Sequence, residues 1–142
     1  MNYLLDTCVV SELMKPFPTA SVVEWLASIP SEQLFLSALT VGELKRGVMK
    51  LPDSKKKTQL SAWFATLLAD YQDRIVPVGL AVAEAWGTLQ AQAEATGRTM
   101  SIIDGYIAAT ASAHQMILVT RNEEDFTMGH QSVMNPWTFP HP

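Results

Sequence analysis

Ile117-Leu118-Val119-Thr120 is an unbroken apolar run that ends on a hydroxyl, and its reading decides the fold. A strand exposed on one face alternates apolar with polar residues. A continuous apolar run belongs to a strand covered on both faces, as in a parallel sheet. Working outward, Leu34-Phe35-Leu36 and Tyr3-Leu4-Leu5 are short runs of similar kind, and longer segments of helical period separate them. That alternation predicts an α/β domain with a mostly parallel sheet. Ile75-Val76-Pro77-Val78 reads as an edge strand, because its proline removes a ladder donor. The tail from Val133 adds a last short strand.

The helices follow from punctuation and period. Pro16 and Pro18 stop a short helix after the first strand. Residues 21–29 form a second helix with Val22, Trp25, Leu26 and Ile29 on one face. A third begins near Thr40 and ends at Leu51-Pro52-Asp53. Asp53 or Ser54 caps the next, whose stripe is Leu60, Trp63, Phe64, Leu67 and Leu68. Residues 80–96 are expected to bury Val82, Ala83, Trp86, Leu89 and Ala93, with Gly97 at the C′ position. Ser101 opens a helix to about residue 115, and Ala108, Ala109, Ala111 and Ala113 give it a small face for close packing.

All 142 residues are expected to form one domain, long enough to bury a core without staples. A composition of 48% hydrophobic and 17% charged residues excludes a disordered chain. Met1-Asn2-Tyr3-Leu4-Leu5-Asp6 has no basic lead and meets an acid early, which argues against a signal peptide. No apolar run approaches the ~18 residues that cross a bilayer. A lone cysteine, Cys8, cannot close an internal disulfide and fits a reducing compartment. A cytoplasmic protein without membrane contact is expected. The net charge of -4 and pI near 5.2 caution against nucleic acid. Yet Lys45, Arg46, Lys50, Lys55, Lys56 and Lys57 fall within thirteen residues, and a local basic surface beside a metal-neutralised acidic pocket can still hold phosphates.

Four acids occupy equivalent places. Asp6 follows the first strand, Glu43 lies in the first turn of the helix after the second, and Asp104 lies in the first turn of the helix opened by Ser101. Asp125 follows the strand ending at Thr120. Strand carboxyl ends and the helix starts facing them border one crevice in an open parallel sheet. Two carboxylates ~4 Å apart repel by about 4 kcal/mol at an effective dielectric of 20. A divalent ion such as Mg²⁺ or Mn²⁺ removes that repulsion and prefers oxygen ligands. Each acid also has a structural reading. Thr40-Val41-Gly42-Glu43 and Ser101-Ile102-Ile103-Asp104 have capping-box form, Asp6 can cap the first helix, and Glu123-Glu124-Asp125 can be a solvated turn. Four acids at matching positions outweigh these.

Around them, Thr7 is a candidate to hold a metal-bound water or a phosphate oxygen, and Thr120, Arg121 and Asn122 to contact substrate. Lys45, Arg46 and Arg121 are candidates to neutralise phosphates. Cys8 reads as a small buried residue, since no histidine lies nearby in sequence. His114, His130 and His141 show no metal-ligand spacing; His114 ends a helix as a dipole partner.

Leu4-Leu5-Asp6-Thr7, Glu43-Leu44 with Gly47, Asp104-Gly105-Tyr106-Ile107-Ala108-Ala109-Thr110-Ala111 and Thr120-Arg121-Asn122-Glu123-Glu124-Asp125-Phe126 together resemble PIN-domain signatures, in order and near the usual spacings. Asn135-Pro136-Trp137 and Asp73-Arg74-Ile75-Val76-Pro77-Val78 are similar to the VapC/FitB branch of bacterial toxins. The resemblance covers essentially the whole chain. It implies a three-layer α/β/α fold around a mostly parallel sheet of about four to five strands. It also implies a Mg²⁺- or Mn²⁺-dependent endoribonuclease that is the toxin of a type II toxin-antitoxin system. Further implications are a cognate antitoxin that blocks the site, DNA contact only through that antitoxin, and a homodimer with its acidic grooves near the interface. Carried over by position, Asp6 and Asp104 are metal ligands, Glu43 supports the metal or orients water, and Asp125 completes the cluster. Two places depart from the pattern: Cys8 stands where the family often has Asn or Ser, and Arg98-Thr99-Met100-Ser101 is less apolar than usual.

Other readings are weaker. A haloacid-dehalogenase-type phosphatase needs an aspartate where Cys8 stands. A receiver domain needs an early acidic pair and a lysine near Arg121. A non-enzymatic acidic interaction module predicts no metal dependence and tolerance of Asp-to-Asn changes. A PIN nuclease with an RNA-processing role is the remaining alternative.

Overall fold

The structure is a computed structural model that describes residues 1–126 and 132–140; His130 and His141 lie outside the described residues. Strands β1 (Tyr3–Leu5), β2 (Leu34–Ser37), β3 (Ile75–Val76), β4 (Ile117–Val119) and β5 (Val133–Met134) form one sheet in the order β3-β2-β1-β4-β5. Every pair is parallel. Helices α1 (Thr7–Leu13), α2 (Ala20–Ser28), α3 (Ala38–Met49), α4 (Lys55–Tyr71), α5 (Leu80–Ala95) and α6 (Ile102–Ala113) cover its two faces. Among the described residues no helix is long and apolar enough to cross a membrane.

The strand sequences explain the layers. Side chains alternate across a strand, so Leu4, Phe35 and Leu118 enter one core with Val82, Leu89, Ile107 and Ala108 of α5 and α6. Leu5, Leu34, Leu36 and Val119 enter the other, with Val9, Val22, Trp25, Leu44 and Phe64 of α1 to α4. On the central strands Leu4, Leu118 and Val119 are fully buried and Leu5 nearly so. Burying each such side chain stabilises the fold by about 1.5–3 kcal/mol. Both faces must therefore be apolar, which is what the unbroken runs recorded.

Three local expectations need correction. α3 starts at Ala38, because Ser37 at the end of β2 caps it, its Oγ accepting from the Leu39 N–H at 3.1 Å. Thr40 is thereby buried inside the helix, Glu43 falls in its second turn, and the capping-box reading of that pair fails. Ala83 is exposed, since the buried stripe of α5 runs through Val82, Ala85, Trp86, Leu89 and Ala93, one helical step away. Ala113, the last residue of α6, is exposed as well. The end of α5 follows expectation. Gly97 has φ 71°, with the Arg98 N–H bonded to the Ala93 carbonyl and the Gly97 N–H to that of Glu94, the Schellman pattern.

α6 packs closely on α5 where Trp86 stacks on Tyr106, ring centroids 4.9 Å apart. A Cβ at Gly105 would lie 3.0 Å from Trp86 Nε1 and 3.2 Å from its Cδ1, so the indole stacked on Tyr106 would have to shift. Gly105→Ala should therefore destabilise by about 1–3 kcal/mol through overpacking. That appears as a lower urea midpoint at unchanged slope, and an unshifted midpoint would show that the indole moves freely.

The turn between α1 and α2 is tied by a residue the sequence reading passed over. Glu12 is only 4% exposed. It accepts from Lys15 Nζ at 2.9 Å and from both the amide and the hydroxyl of Thr19 at 3.0 Å. The Lys15 contact first, then those from Thr19, hold its carboxyl below the ordinary 4.5. A depressed folded pKa contributes stability above 4.5 that is lost as pH falls through the depressed value. Glu12→Gln should thus be less stable by about 1–3 kcal/mol at neutral pH, with the gap closing in acid. Urea unfolding at pH 7 and pH 3 checks this; an equal gap at both would contradict it.

Candidate active site

The chain adds β2 and β3 on one side of β1, then returns to add β4 and β5 on the other. At such a switch point the connections leave in opposite directions and open a crevice beyond the strand carboxyl ends. Leu5 pairs with Val119, so Asp6 and Thr120 are the next residues on adjacent strands. The Asp6 N–H bonds the Val119 carbonyl at 2.9 Å. Asp6 is 5% exposed, and both its oxygens are engaged. Oδ1 accepts from the Thr7 N–H at 2.8 Å and Oδ2 from the Thr120 hydroxyl at 2.8 Å. Asp6 is therefore the N-cap of α1 and a buried acid of the crevice at once.

Glu43 is carried to the same place by α3, where its Oε1 accepts from the Thr7 hydroxyl at 2.5 Å. Asp104 is the third residue of α6, and its N–H bonds the Oγ of the capping Ser101 at 3.2 Å. Asp125 sits in a 3-10 turn, Glu123–Phe126, anchored by the buried Phe126. A cleft of about 220 Å³ is lined by Arg98, Thr99, Met100, Ser101, Asp104, Glu124 and Asp125. A second, about 300 Å³, is lined by Arg121, Asn122, Glu123, Glu124 and Asp125. The less apolar stretch before α6 is thus a wall of the site. Glu124 borders both clefts and was read only as part of an acidic turn; its adjacency to Asp125 was the available signal.

The electrostatics tie the four acids together. Burial pushes the Asp6 carboxyl up; hydrogen bonds from Thr120 and Thr7 counter it, and the charge of Asp104 raises it further. Asp104 is likewise raised by burial first, countered by Ser101, and then raised by Asp125 and Glu43. Asp104 thus feels the charges of Asp125 and Glu43 and acts on Asp6. As the side chains stand, no three His, Cys, Asp or Glu groups among the described residues converge tightly enough to enclose an ion. The donor set still fits a hard divalent cation. All donors are carboxylate oxygens, and Mg²⁺ binds through one or two carboxylates while keeping several waters.

The remaining candidates divide. Thr120 is fully buried and its hydroxyl serves Asp6, while its Oγ1 accepts from the Asn122 N–H at 3.0 Å. Arg121 and Asn122 are exposed and line the second cleft, the Arg121 guanidinium lying 5.3 Å from the Trp137 ring. Lys45 and Arg46 are both exposed, and the Lys45 ammonium lies over the Phe64 ring at 5.6 Å. Cys8 Sγ is 3.6 Å from both Asp6 Oδ2 and Thr120 Oγ1. Burial and the Asp6 charge push its thiol up, so it stays protonated and is no nucleophile. His114 is the C-cap of α6.

A family model described as the PIN domain matches residues 3–127. Toxin FitB of Neisseria gonorrhoeae is 39% identical over 135 residues, spanning 94% of this chain and 97% of that one. VapC ribonuclease Y4jK of Sinorhizobium fredii is 36% identical over 94% of this chain and 96% of its own. Among solved structures, FitAB bound to a DNA fragment superposes with a TM-score of 0.92 at 38% identity, covering 98% of both chains.

Proposed function

The chain belongs to the PIN domain family, and from that premise we propose that it is a metal-dependent endoribonuclease acting as the toxin of a toxin-antitoxin pair. The observation that carries the reading is that Thr7 joins Asp6 to Glu43 while Asp104 and Asp125 line one cleft, with the charge of Asp104 reaching Asp6 and those of Asp125 and Glu43 reaching Asp104. Asp6 and Asp104 would hold Mg²⁺ or Mn²⁺, with Glu43 and Asp125 completing the oxygen set. When bound, such an ion supplies a Lewis acid that activates water and shields phosphoryl charge.

The chain's own groups do the rest. Asp6 is held by the Thr7 amide and the Thr120 hydroxyl, so neither oxygen turns away from the crevice. Glu124, which with Asp125 lines both clefts, helps orient the attacking water. Arg121 and Asn122 line the second cleft and contact the phosphodiester chain, and Arg46, exposed on α3, supplies further positive charge. The relatives named toxin, and the FitAB complex, support a cognate antitoxin that covers the site and makes the only contact with DNA. A homodimer completes the proposal; Ile102, beside the capping Ser101, is 66% exposed and offers apolar surface to a second copy.

Induced expression in a bacterial host tests this. Growth arrest with RNA cleavage is expected from the wild type and none from Asp6→Asn, and a small protein encoded beside the gene should relieve the arrest. Equal arrest by Asp6→Asn, or intact RNA in arrested cells, would overturn it.

A further inference from the structure

Thr7 is the first residue of α1, where a threonine side chain ordinarily turns to solvent or back to its own helix. Here it crosses to α3. Its Oγ1 lies 2.5 Å from Glu43 Oε1 and 3.3 Å from Thr40 Oγ1. Thr40 and Glu43 are three apart on α3 and so share one face of it; Thr40 is fully buried. The Thr7 hydroxyl has one hydrogen and two neighbours. The carboxylate contact has the short length of a charge-assisted bond, so the hydrogen goes to Glu43 and the Thr40 hydroxyl is left to face the Thr7 oxygen. The backbone N–H of the same residue donates to Asp6 Oδ1 at 2.8 Å. One residue therefore grips an acid at the end of β1 and an acid on α3.

We propose that Thr7 is a positioning residue for Glu43: its hydroxyl occupies Oε1 and leaves Oε2 as the oxygen offered to the site. Glutamate is among the side chains with most rotamer freedom to lose, and Glu43 is only half-buried. A β-branched residue is stiff at χ1, so threonine presents its hydroxyl in one direction. This assigns Thr7 to Glu43 in place of the phosphate or metal-bound water the sequence suggested. The inference rests on the metal-site reading above, but not on RNA being the substrate.

The test compares wild type, Thr7→Val, Thr7→Ser, Glu43→Ala and the double variant Thr7→Val/Glu43→Ala. Mn²⁺ binding is followed by calorimetry, and RNA affinity is measured in metal-free buffer. Thr7→Val should weaken Mn²⁺ binding about 10-fold or more, in the range found when a ligand's supporting hydrogen bond is removed. Its RNA affinity should not change. Thr7→Ser keeps the hydroxyl and should restore most of the Mn²⁺ affinity. In the Glu43→Ala background Thr7→Val should add nothing, the non-additivity expected of directly coupled groups. Additive losses, failure of serine to rescue, or lost RNA affinity with Mn²⁺ binding intact would each overturn the assignment. Wild type that binds Mn²⁺ with this coupling yet cuts no RNA would refute the nuclease reading and uphold this one.

Discussion

Asp104→Asn is expected to cut RNA cleavage by at least about 100-fold while leaving the metal-free protein as stable as wild type or slightly more so. Loss of a mere supporting partner already costs 10–100-fold at metal sites, and Asp104 is proposed here as a direct ligand. It shares a cleft with Asp125, its charge raises the Asp6 carboxyl, and its own is raised by Asp125 and Glu43. Asparagine keeps the shape and a side-chain oxygen to face Ser101, and the Ser101 cap on the backbone N–H of residue 104 is retained. What disappears is the charge, a repulsive element in the metal-free protein. Kinetic loss without a fall in the urea midpoint therefore separates a functional acid from a structural one. Loss of both together would return Asp104 to the role of a helix cap.

The second large effect joins metal, pH and stability. Burial is the first cause raising the Asp6 and Asp104 carboxyls above 3.8, so the fold prefers them protonated. For a carboxyl with a raised folded pKa the native state holds more protons than the unfolded chain, and stability falls as pH rises from about 3.8 through the raised values. Glu12 works in the opposite sense at lower pH, so the informative quantity is wild type minus Asp104→Asn. In EDTA that difference should move against the wild type as pH climbs. Mg²⁺ should reverse it, adding about 2.7 kcal/mol at a hundredfold excess over its Kd. The gain should grow with pH, because the ligands bind as carboxylates. Thermal melts across pH with EDTA or Mg²⁺ measure all of this. Equal response of wild type and Asp104→Asn to Mg²⁺ would place the ion elsewhere.

How much was legible in the sequence depended on whether the signal was local. Leu118 and Val119 had to be apolar in succession because β4 lies between two cores, and that requirement is visible in four residues. Asp6 could be placed because it follows such a run directly. The start of α3 could not, since Ser37 and Thr40 are both competent caps and only the position of β2 decides between them. The direction of the hydroxyls was out of reach for a related reason. Thr7 turns to a partner 36 residues away and Thr120 to one 114 away, and neither contact leaves a trace in the neighbouring sequence. Glu12 was missed because its partners, Lys15 and Thr19, flank two prolines that read only as a helix stop. The four acids were found because topology, which the strand pattern reveals, brings them together; the network that holds them in place had to be seen.

The most direct measurement is cleavage of an end-labelled structured RNA by purified protein with Mg²⁺, with EDTA, and with Mg²⁺ restored after EDTA, wild type beside Asp104→Asn. Cutting by the wild type should stop in EDTA and return with Mg²⁺, and the variant should not cut under any of the three conditions. Cutting that persists in EDTA, or that the variant retains, would contradict the proposal.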